Sequence, residues 1–593
     1  MAIGLLAGGS RQAGMRHQPA WLLGLVLLVA TAIGGRLAWL QLVHGQENRE
    51  MADQNRIRLL PRHPMRGRLL DRNGEVLATN LLSYNLYLLP RVVTEERWLS
   101  LRDRLAAVLD VSVGELEQKR RNAGSGDGYR IPLAGPLSSV QVLRFKEQGT
   151  AFDGINIDVD YLRSYPNGTL ASHLLGYTSS INEEEYGRLA REGYRVQDRI
   201  GRSGLERVFE SHLRGEWGGQ QLEVNAAGEV QRVLGDKQAR SGKDLNLTLD
   251  LELQRAAEKA LDGVKKGAIV AMDPQTGAIL AMASRPNFDP NMFSKGPTTA
   301  EWNELNRPEA PMLNRVLRAF PPASTFKVIT ALAALESGRF HPDSKILTSK
   351  SFCFDGQCYA DHGSYGSIGF AFAMAVSSNS FFYRLSLQLG AEDLFKAARR
   401  LGFGSPTGIE LDEEESAGLL GDPAWKLETL KERWTSVDTI TSSIGQGAVS
   451  VTPLQMARLY AAIANGGWLV TPHLVEGPSS RENLGLKPST LKVLRQSLRQ
   501  VVTSGTATLL NIPGLPPVAG KTGTAEDPPR QDHSWFGGYA PADKPELVII
   551  AFGENSGGYG GTVAAPMVKA LMTTWFKSTP PSNEIRPLTP ASN

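Results

Sequence analysis

This chain has few cysteines and a small net charge. Its 593 residues include only two cysteines, and 64 basic residues nearly balance 61 acidic ones, leaving a net charge of +3. So small a charge provides no global basic field, which argues against a nucleic-acid partner. The length exceeds what one core usually supports, and the composition, 41% hydrophobic and 21% charged, is that of a globular protein. We therefore expect two folded domains.

Charge is also missing from one local stretch, residues 18–35. With the apolar residues that follow Arg36, this stretch can cross a bilayer if Arg36 extends to the far interface. Arg11 and Arg16 precede it without an acidic residue, so we expect a cytoplasmic N-terminus and an exported remainder. The alternative is a signal peptide cleaved after Ala30-Thr31-Ala32. The apolar residues that continue beyond that point favour an uncleaved anchor.

The two cysteines, Cys353 and Cys358, flank an Asp355-Gly356 pair that is typical of a two-residue hairpin turn. In that hairpin the cysteines face each other as a non-hydrogen-bonded pair, with Cα atoms about 4.5 Å apart. This separation favours a disulfide in an oxidising compartment. The alternative is a metal site that also uses Asp355, Asp361 or His362.

Three short motifs carry the chemistry. Ser324-Thr325-Phe326-Lys327, Ser377-Ser378-Asn379 and Lys521-Thr522-Gly523-Thr524 form, in this order, an S-x-x-K, S-x-N and K-T-G set. This set is typical of penicillin-interacting enzymes in which a serine is acylated. Each motif alone is weak evidence, because Ser489-Thr490-Leu491-Lys492 is a second S-x-x-K and Ser83-Tyr84-Asn85 a second S-x-N. Ser489 opens an amphipathic run after Lys487-Pro488, so we predict that it is an ordinary helix N-cap.

Ser324 begins a nearly uncharged segment at residues 326–335, which predicts a buried helix. A serine and a lysine three residues apart share one face of such a helix. We assign Ser324 as the nucleophile and Lys327 as its general base, because burial and a neighbouring cation, Lys521, both favour the neutral amine.

The other two motifs receive supporting roles. Ser377 relays a proton to the leaving amine, and Asn379 fixes the substrate amide and Lys327. The segment from Lys521 through Thr522 and Gly523 to Thr524 is predicted at a strand edge, where glycine lets a substrate backbone approach. Backbone N–H groups of Ser324 and Thr524 are expected to form the oxyanion hole. No cofactor and no metal ligand is assigned.

The rest of the chain divides near residue 241. Before it, residues 46–55 suggest a stalk, and residues 66–77 a strand, an Asn-Gly turn and a strand. Residues 91–122 look helical, and residues 129–235 alternate short strands with turns. After the boundary we predict a strand at 245–250, a helix at 251–261 and a hairpin at 267–283, which with the helical middle fit a sheet flanked by helices. Beyond residue 577, four prolines predict a disordered tail.

Taken with these motifs, the chain resembles the class B penicillin-binding proteins, which are monofunctional D,D-transpeptidases of bacterial cell-wall synthesis. Further segments look like landmarks of that family: residues 52–58, 66–74, 165–168, 201–206 and 289–291. Residues 443–447, 452–455 and 533–536 resemble the elongation type, penicillin-binding protein 2, with the division type as the alternative. Two departures matter: Ala323 replaces a usual glycine, and Ser378 stands where some members have a metal-associated cysteine, which weakens the metal alternative.

The resemblance implies an α+β multidomain fold: an anchor at 1–44, a stalk and non-catalytic pedestal at 45–240, a β-lactamase-like transpeptidase domain at 241–577 and a tail at 578–593. It implies, as binding partners, stem peptides ending in D-Ala-D-Ala, β-lactams, a polytopic peptidoglycan glycosyltransferase and the rod-shape complex at the inner membrane. Two rivals are open: a β-lactamase or β-lactam sensor, and a non-catalytic cell-wall scaffold. The pedestal argues against the first and the intact motifs against the second.

Overall fold

The computed structural model describes residues 18–44, 57–90, 92–122, 131–195, 198–224 and 230–578. The chain forms two compact units, one made of residues up to 64 with 216–240 and the other of residues 65–215 with 241 onward. The predicted stalk at 46–55 and the predicted tail from residue 579 lie outside the described residues.

The first unit contains the apolar N-terminal segment. The helix Gln18–Ala38 continues as a π-helix, Trp39–Val43. Within them, Trp21–Val43 has a mean hydropathy of 1.9 and is long enough to span a membrane. The guanidinium of Arg36 lies 4.4 Å from the ring centre of Trp39. This unit also has an antiparallel sheet of three strands: Ile57–Arg62, Gly218–Val224 and Val230–Lys237.

The second unit contains a sheet around one long strand, Val76–Leu88. The other strands of this sheet are Leu69–Leu70, Ile131–Leu137, Ile155–Ser164 and Leu245–Asn246. The predicted strand, turn and strand at 66–77 is confirmed, with Gly74 at a φ of +85° in the turn. Helices Glu95–Leu109, Val113–Asn122 and Ser139–Glu147 lie beside the sheet.

Residues 129–235 contain the predicted short strands, but the prediction missed the helices between them. Ser138 and Gln141 form a capping box that starts the helix Ser139–Glu147, and further helices follow. Further elements are the helices Ser172–Leu175, Glu183–Leu189, Gly204–Val208 and Glu210–Leu213, the 3₁₀ helices Gly149–Phe152 and Ala190–Glu192, and the paired strands Thr178–Ser180 and Arg199–Gly201.

Two sequence landmarks of this region meet in a buried ion cluster. Glu206 accepts hydrogen bonds from Arg66 Nε and from Arg163 Nε, each at 2.6 Å. The two arginines keep the pKa of the Glu206 carboxyl below its usual range although burial acts to raise it. Removing one partner of such a cluster leaves an uncompensated buried charge, which is strongly destabilising.

The residues after 241 build an antiparallel sheet of five strands. In spatial order these are Ile279–Arg285, Gly267–Met272, Leu547–Gly553, His533–Ala540 and Ala519–Ala525. Leu251–Ala260, Pro453–Ala464 and Ala564–Ser578 are helices packed on this sheet. The predicted helix, hairpin and flanked sheet are confirmed, and so is the edge position of the K-T-G strand.

Helices dominate the middle of this region: Lys327–Glu336, Phe370–Ala375, Asn379–Leu389, Ala391–Arg400, Ser436–Ser443 and Pro488–Ser504. The strand predicted at 245–250 is shorter than expected, Leu245–Asn246. Asp250, at the end of the predicted range, instead caps the next helix, because its side chain accepts a hydrogen bond from Leu253 N.

Candidate active site

The turn that carries Ser324, the predicted nucleophile, lies at the start of the predicted buried helix and is called the nucleophile turn below. A 3₁₀ turn, Ala323–Thr325, carries Ser324 and leads into the helix Lys327–Glu336. Ala323 has a φ of +48°, a left-handed conformation that glycine adopts more readily. Its N–H donates to Gly445 O at 2.9 Å. This left-handed conformation explains why glycine is usual at position 323. Here alanine adopts it, and the hydrogen bond to Gly445 O holds the turn.

Lys327 is fully buried, and its amine contacts the second motif. Lys327 Nζ donates to Ser377 O at 2.7 Å and to Asn379 Oδ1 at 2.6 Å, and lies 3.3 Å from Ser377 Oγ. Burial lowers the Lys327 pKa to about 7, with Asp361 acting in the opposite direction. A substantial fraction of this amine is therefore neutral near pH 7, as a general base requires.

Lys521 approaches the same serine from the sheet edge. Its Nζ donates to Ser377 Oγ and to Thr522 O, both at 2.9 Å. Burial, helped by the nearby charge of Lys327, lowers the Lys521 pKa well below its ordinary value. Ser377 has a φ of +56°, unusual for a serine and of the kind found at functional sites. The Ser377 hydroxyl thus lies between two lysine amines.

The glycine of the K-T-G motif packs directly on the nucleophile turn. A Cβ at Gly523 would lie 3.1 Å from Pro322 O and 3.3 Å from Thr325 N. Glycine thus leaves room for the close approach of the protein's own turn, whereas the sequence suggested only substrate approach. The two threonines of the motif are also held, since Thr522 Oγ1 lies 2.5 Å from Thr506 Oγ1 and Thr524 Oγ1 accepts from Gly560 N.

The structure thus brings all three motifs together: Lys327 and Lys521 meet at Ser377, and Gly523 packs on the turn that carries Ser324. The other hydrogen bonds of Lys327 run to Ser377 O and Asn379, and Ser324 is half-buried. The second S-x-x-K is elsewhere, on the exposed face of the helix Pro488–Ser504. The prediction that Ser489 caps this helix is wrong: Pro488 occupies the first turn and Lys487 the cap position, with no side-chain capping bond.

The two cysteines are joined. Cys353 and Cys358 form a disulfide across the hairpin Ser351–Phe354 and Gln357–Ala360, as predicted. Asp355 and Gly356 both have positive φ in the turn, which the Asp-Gly pair favours. Among the residues that the structure describes, no group of three or more His, Cys, Asp or Glu side chains could hold a metal ion.

Asp361, which the sequence suggested only as a metal ligand, contacts the S-x-N motif. It follows the disulfide hairpin, and its Oδ2 accepts from Ser378 Oγ at 2.6 Å and from Ser380 Oγ at 2.7 Å. Its Oδ1 accepts from Asn379 N at 2.8 Å. Nothing in the sequence links Asp361 to Ser378, because only the fold brings the two segments together.

Comparison with known proteins decides the family. The model of the penicillin binding protein transpeptidase domain matches residues 267–573, which span the three motifs, and the model of the penicillin-binding protein dimerisation domain matches residues 61–247. The chain belongs to the penicillin-binding protein transpeptidase family. The sequence resemblance and the predicted fold class are confirmed.

Relatives of this family member align over most of its length. Peptidoglycan D,D-transpeptidase MrdA of Acinetobacter baumannii is 33% identical over 95% of this chain and 88% of its own, and the Escherichia coli MrdA is 30% identical over 93% and 92%. The penicillin-binding protein PBP2 of Helicobacter pylori, solved in complex with MreC, superposes with a TM-score of 0.81 at 26% identity, over 88% of this chain and 99% of its own. A chain of a peptidoglycan synthase complex gives a TM-score of 0.72 at 32% identity, over 96% and 100%.

Proposed function

We propose that the chain is a membrane-anchored peptidoglycan D,D-transpeptidase of the elongation type. The observation that carries this proposal is the convergence of Lys327 and Lys521 on the Ser377 hydroxyl, with the K-T-G strand packed on the turn that carries Ser324. The names of the relatives, MrdA and penicillin-binding protein PBP2, support the reaction and the subtype. Lys327 and Lys521 are both buried, so the pKa of each amine is set by the protein more than by water.

In the first half-reaction, Ser324 Oγ attacks the carbonyl carbon of the penultimate D-alanine, and Lys327 takes the hydroxyl proton. The C–N bond to the terminal D-alanine breaks, and its amine receives a proton through Ser377. An ester on Ser324 results. An acceptor amine from a second stem peptide then attacks this ester, loses its proton along the same path and restores the serine.

The remaining motif residues hold the substrate in this scheme. Asn379 orients the substrate amide, and Lys521 with Thr522 takes up the terminal carboxylate. Backbone N–H groups of Ser324 and Thr524 stabilise the oxyanion, which is worth roughly 3 to 4 kcal/mol per donor in comparable enzymes. The role of Gly523 is steric, since its missing side chain lets the motif strand contact the nucleophile turn.

A β-lactam uses the same residues, because its amide resembles the scissile bond. Its leaving amine stays tethered after acylation and blocks the acceptor, so the adduct persists. The β-lactamase rival needs a base that activates water. Asp361 is a poor candidate, because both its oxygens accept hydrogen bonds from Ser378, Asn379 or Ser380.

The test is the intact mass of the protein after exposure to a penicillin, followed by peptide mapping. A stable adduct on Ser324 in the wild type and none in Ser324→Ala supports the proposal. Rapid turnover of the penicillin without an adduct would indicate a β-lactamase, and an adduct that persists in Ser324→Ala would exclude Ser324 as the nucleophile.

The domain boundaries belong to the same proposal: an anchor at 1–44, a stalk and pedestal at 45–240, a transpeptidase domain at 241–577 and a tail at 578–593. The matches at 61–247 and 267–573 support them. The catalytic part faces the periplasm, with the N-terminus in the cytoplasm. N-terminal sequencing of the mature protein tests the anchor, because a start near Ile33 would reveal cleavage.

For partners we propose the rod-shape complex and a polytopic peptidoglycan glycosyltransferase. The support comes from the Helicobacter pylori protein, solved with MreC, and from the matched chain of a peptidoglycan synthase complex. Copurification of these partners with the membrane-extracted full chain is the test.

A further inference from the structure

We propose that Asp361 is a positioning residue of the acylation site, which holds the S-x-N turn so that Ser377 and Asn379 keep their contacts with Lys327. The inference rests on the proposed acyl-enzyme function and deepens it. Asp361 lies 16 positions before Ser377, at the end of the disulfide hairpin.

The first argument is the number of donors that one carboxylate collects. Oδ2 accepts from the hydroxyls of Ser378 and Ser380 and from Ser380 N at 2.9 Å, while Oδ1 accepts from Asn379 N and from His362 N, each at 2.8 Å. Asp361 is buried, with 8% of its surface exposed. A buried carboxylate with this many donors is fixed in place, and it fixes the donors in turn.

The second argument is where those donors lie. The backbone N–H groups of Asn379 and Ser380 open the helix Asn379–Leu389, and such groups have no partner within the helix. Asp361 satisfies both from outside and places a negative charge at the helix start, where it is stabilising. Ser378 adds a capping bond, since its Oγ accepts from Phe381 N at 3.3 Å.

The third argument links this support to the reacting groups. Lys327 Nζ donates to Ser377 O and to Asn379 Oδ1, which are carried by the segment that Asp361 holds. A further hydrogen bond holds Asn379 in place, because Asn379 Nδ2 donates to Ala360 O at 3.3 Å. If the Asp361 bonds are lost, the acceptors of the Lys327 amine can shift, and a displacement of about 1 Å costs catalysis roughly a hundredfold.

The experiment measures the second-order acylation rate with a chromogenic or fluorescent penicillin, across pH, on the full-length protein. Asp361→Asn keeps the shape but turns an NH₂ group toward the hydroxyl and N–H donors. We expect its rate to fall roughly tenfold to a hundredfold. Asp355→Asn, an exposed change in the turn of the same hairpin, is the matched control and should acylate at the wild-type rate.

The pH profile separates positioning from a general loss of structure. The titratable groups that act on or beside Lys327 are Asp361, His362 and Lys521. Asp361 raises the Lys327 pKa, so its removal should move the acylation midpoint to lower pH. In Ser378→Ala the carboxylate stays, and we expect a severalfold slower rate with an unmoved midpoint.

The inference is overturned if the Asp361→Asn variant acylates at the wild-type rate and with the wild-type pH midpoint. If that variant does not fold, Ser378→Ala decides, and a wild-type rate in folded Ser378→Ala overturns it equally. These failures differ from failure of the proposed function, in which the wild type itself forms no adduct on Ser324.

Discussion

Lys521 Nζ donates a hydrogen bond to Ser377 Oγ at 2.9 Å, so the third motif is joined directly to the second. Lys327 Nζ lies 3.3 Å from the same oxygen. One hydroxyl between two buried amines can receive a proton from one and pass it on, which is the relay that the sequence motifs suggested.

Ser377→Ala tests this relay. The change removes the hydroxyl that both amines contact and leaves the nucleophile in place. We expect the acylation rate with a penicillin to fall roughly a hundredfold or more, the usual range for a lost acid–base group. The measurement is stopped-flow acylation, with melting temperature as the control. A rate within twofold of wild type would exclude Ser377 from proton transfer.

The pH dependence of acylation follows from the Lys327 pKa of about 7, which burial lowers from its ordinary value of 10.5. The base acts when neutral, so the rate should be low at acidic pH and rise to a plateau above the pKa. We expect a midpoint near pH 7 in the rate measured between pH 5 and 9. A flat profile, or a rate that still rises at pH 9 without a plateau, would contradict Lys327 as the base.

Gly445→Ala should damage the nucleophile turn. A Cβ there would lie 2.4 Å from Ala323 O and 2.6 Å from Phe326 Cβ, and Gly445 has a φ of +72°. We expect a loss of several kcal/mol in unfolding free energy, or slower acylation if the turn shifts instead.

Gly338→Ala is the matched control, because Gly338 has a φ of +76° and a Cβ added there would meet no atom within 4 Å. Its cost should be about 1 kcal/mol, from backbone conformation alone. Equal stability losses in both variants, measured by chemical denaturation, would show that the contact with Ala323 is unimportant.

The Cys353–Cys358 disulfide should be present in protein from an oxidising compartment. Alkylation without a reductant is expected to modify neither cysteine, and after reduction both. The loop is short, so replacing both residues by serine should cost only about 2 kcal/mol on the chain-entropy model. Two free thiols in the unreduced protein would contradict the structure.

The sequence predicted the motifs, the sheet and the hairpin because each has a local signature. Ser324 and Lys327 share a helical spacing, and Asp355-Gly356 determines its own turn. The sequence did not predict the cap at Lys487, because a serine before an amphipathic run is usually the N-cap. Here the helix already begins at Pro488, so Ser489 lies within its first turn. The packing reason for Gly523 and the contacts of Asp361 depend on segments that only the tertiary fold brings together.

The most direct test of the central claim is a cross-linking assay with the full-length protein in the presence of a polymerising glycosyltransferase. The substrate is glycan strands whose stem peptides end in D-Ala-D-Ala. Released D-alanine and cross-linked stem peptides are both quantified. We predict that they form in equal amounts, that Ser324→Ala abolishes both, and that Ser489→Ala, on the exposed second S-x-x-K, retains both. Release of D-alanine without cross-links, or cross-links that persist in Ser324→Ala, would contradict the assignment.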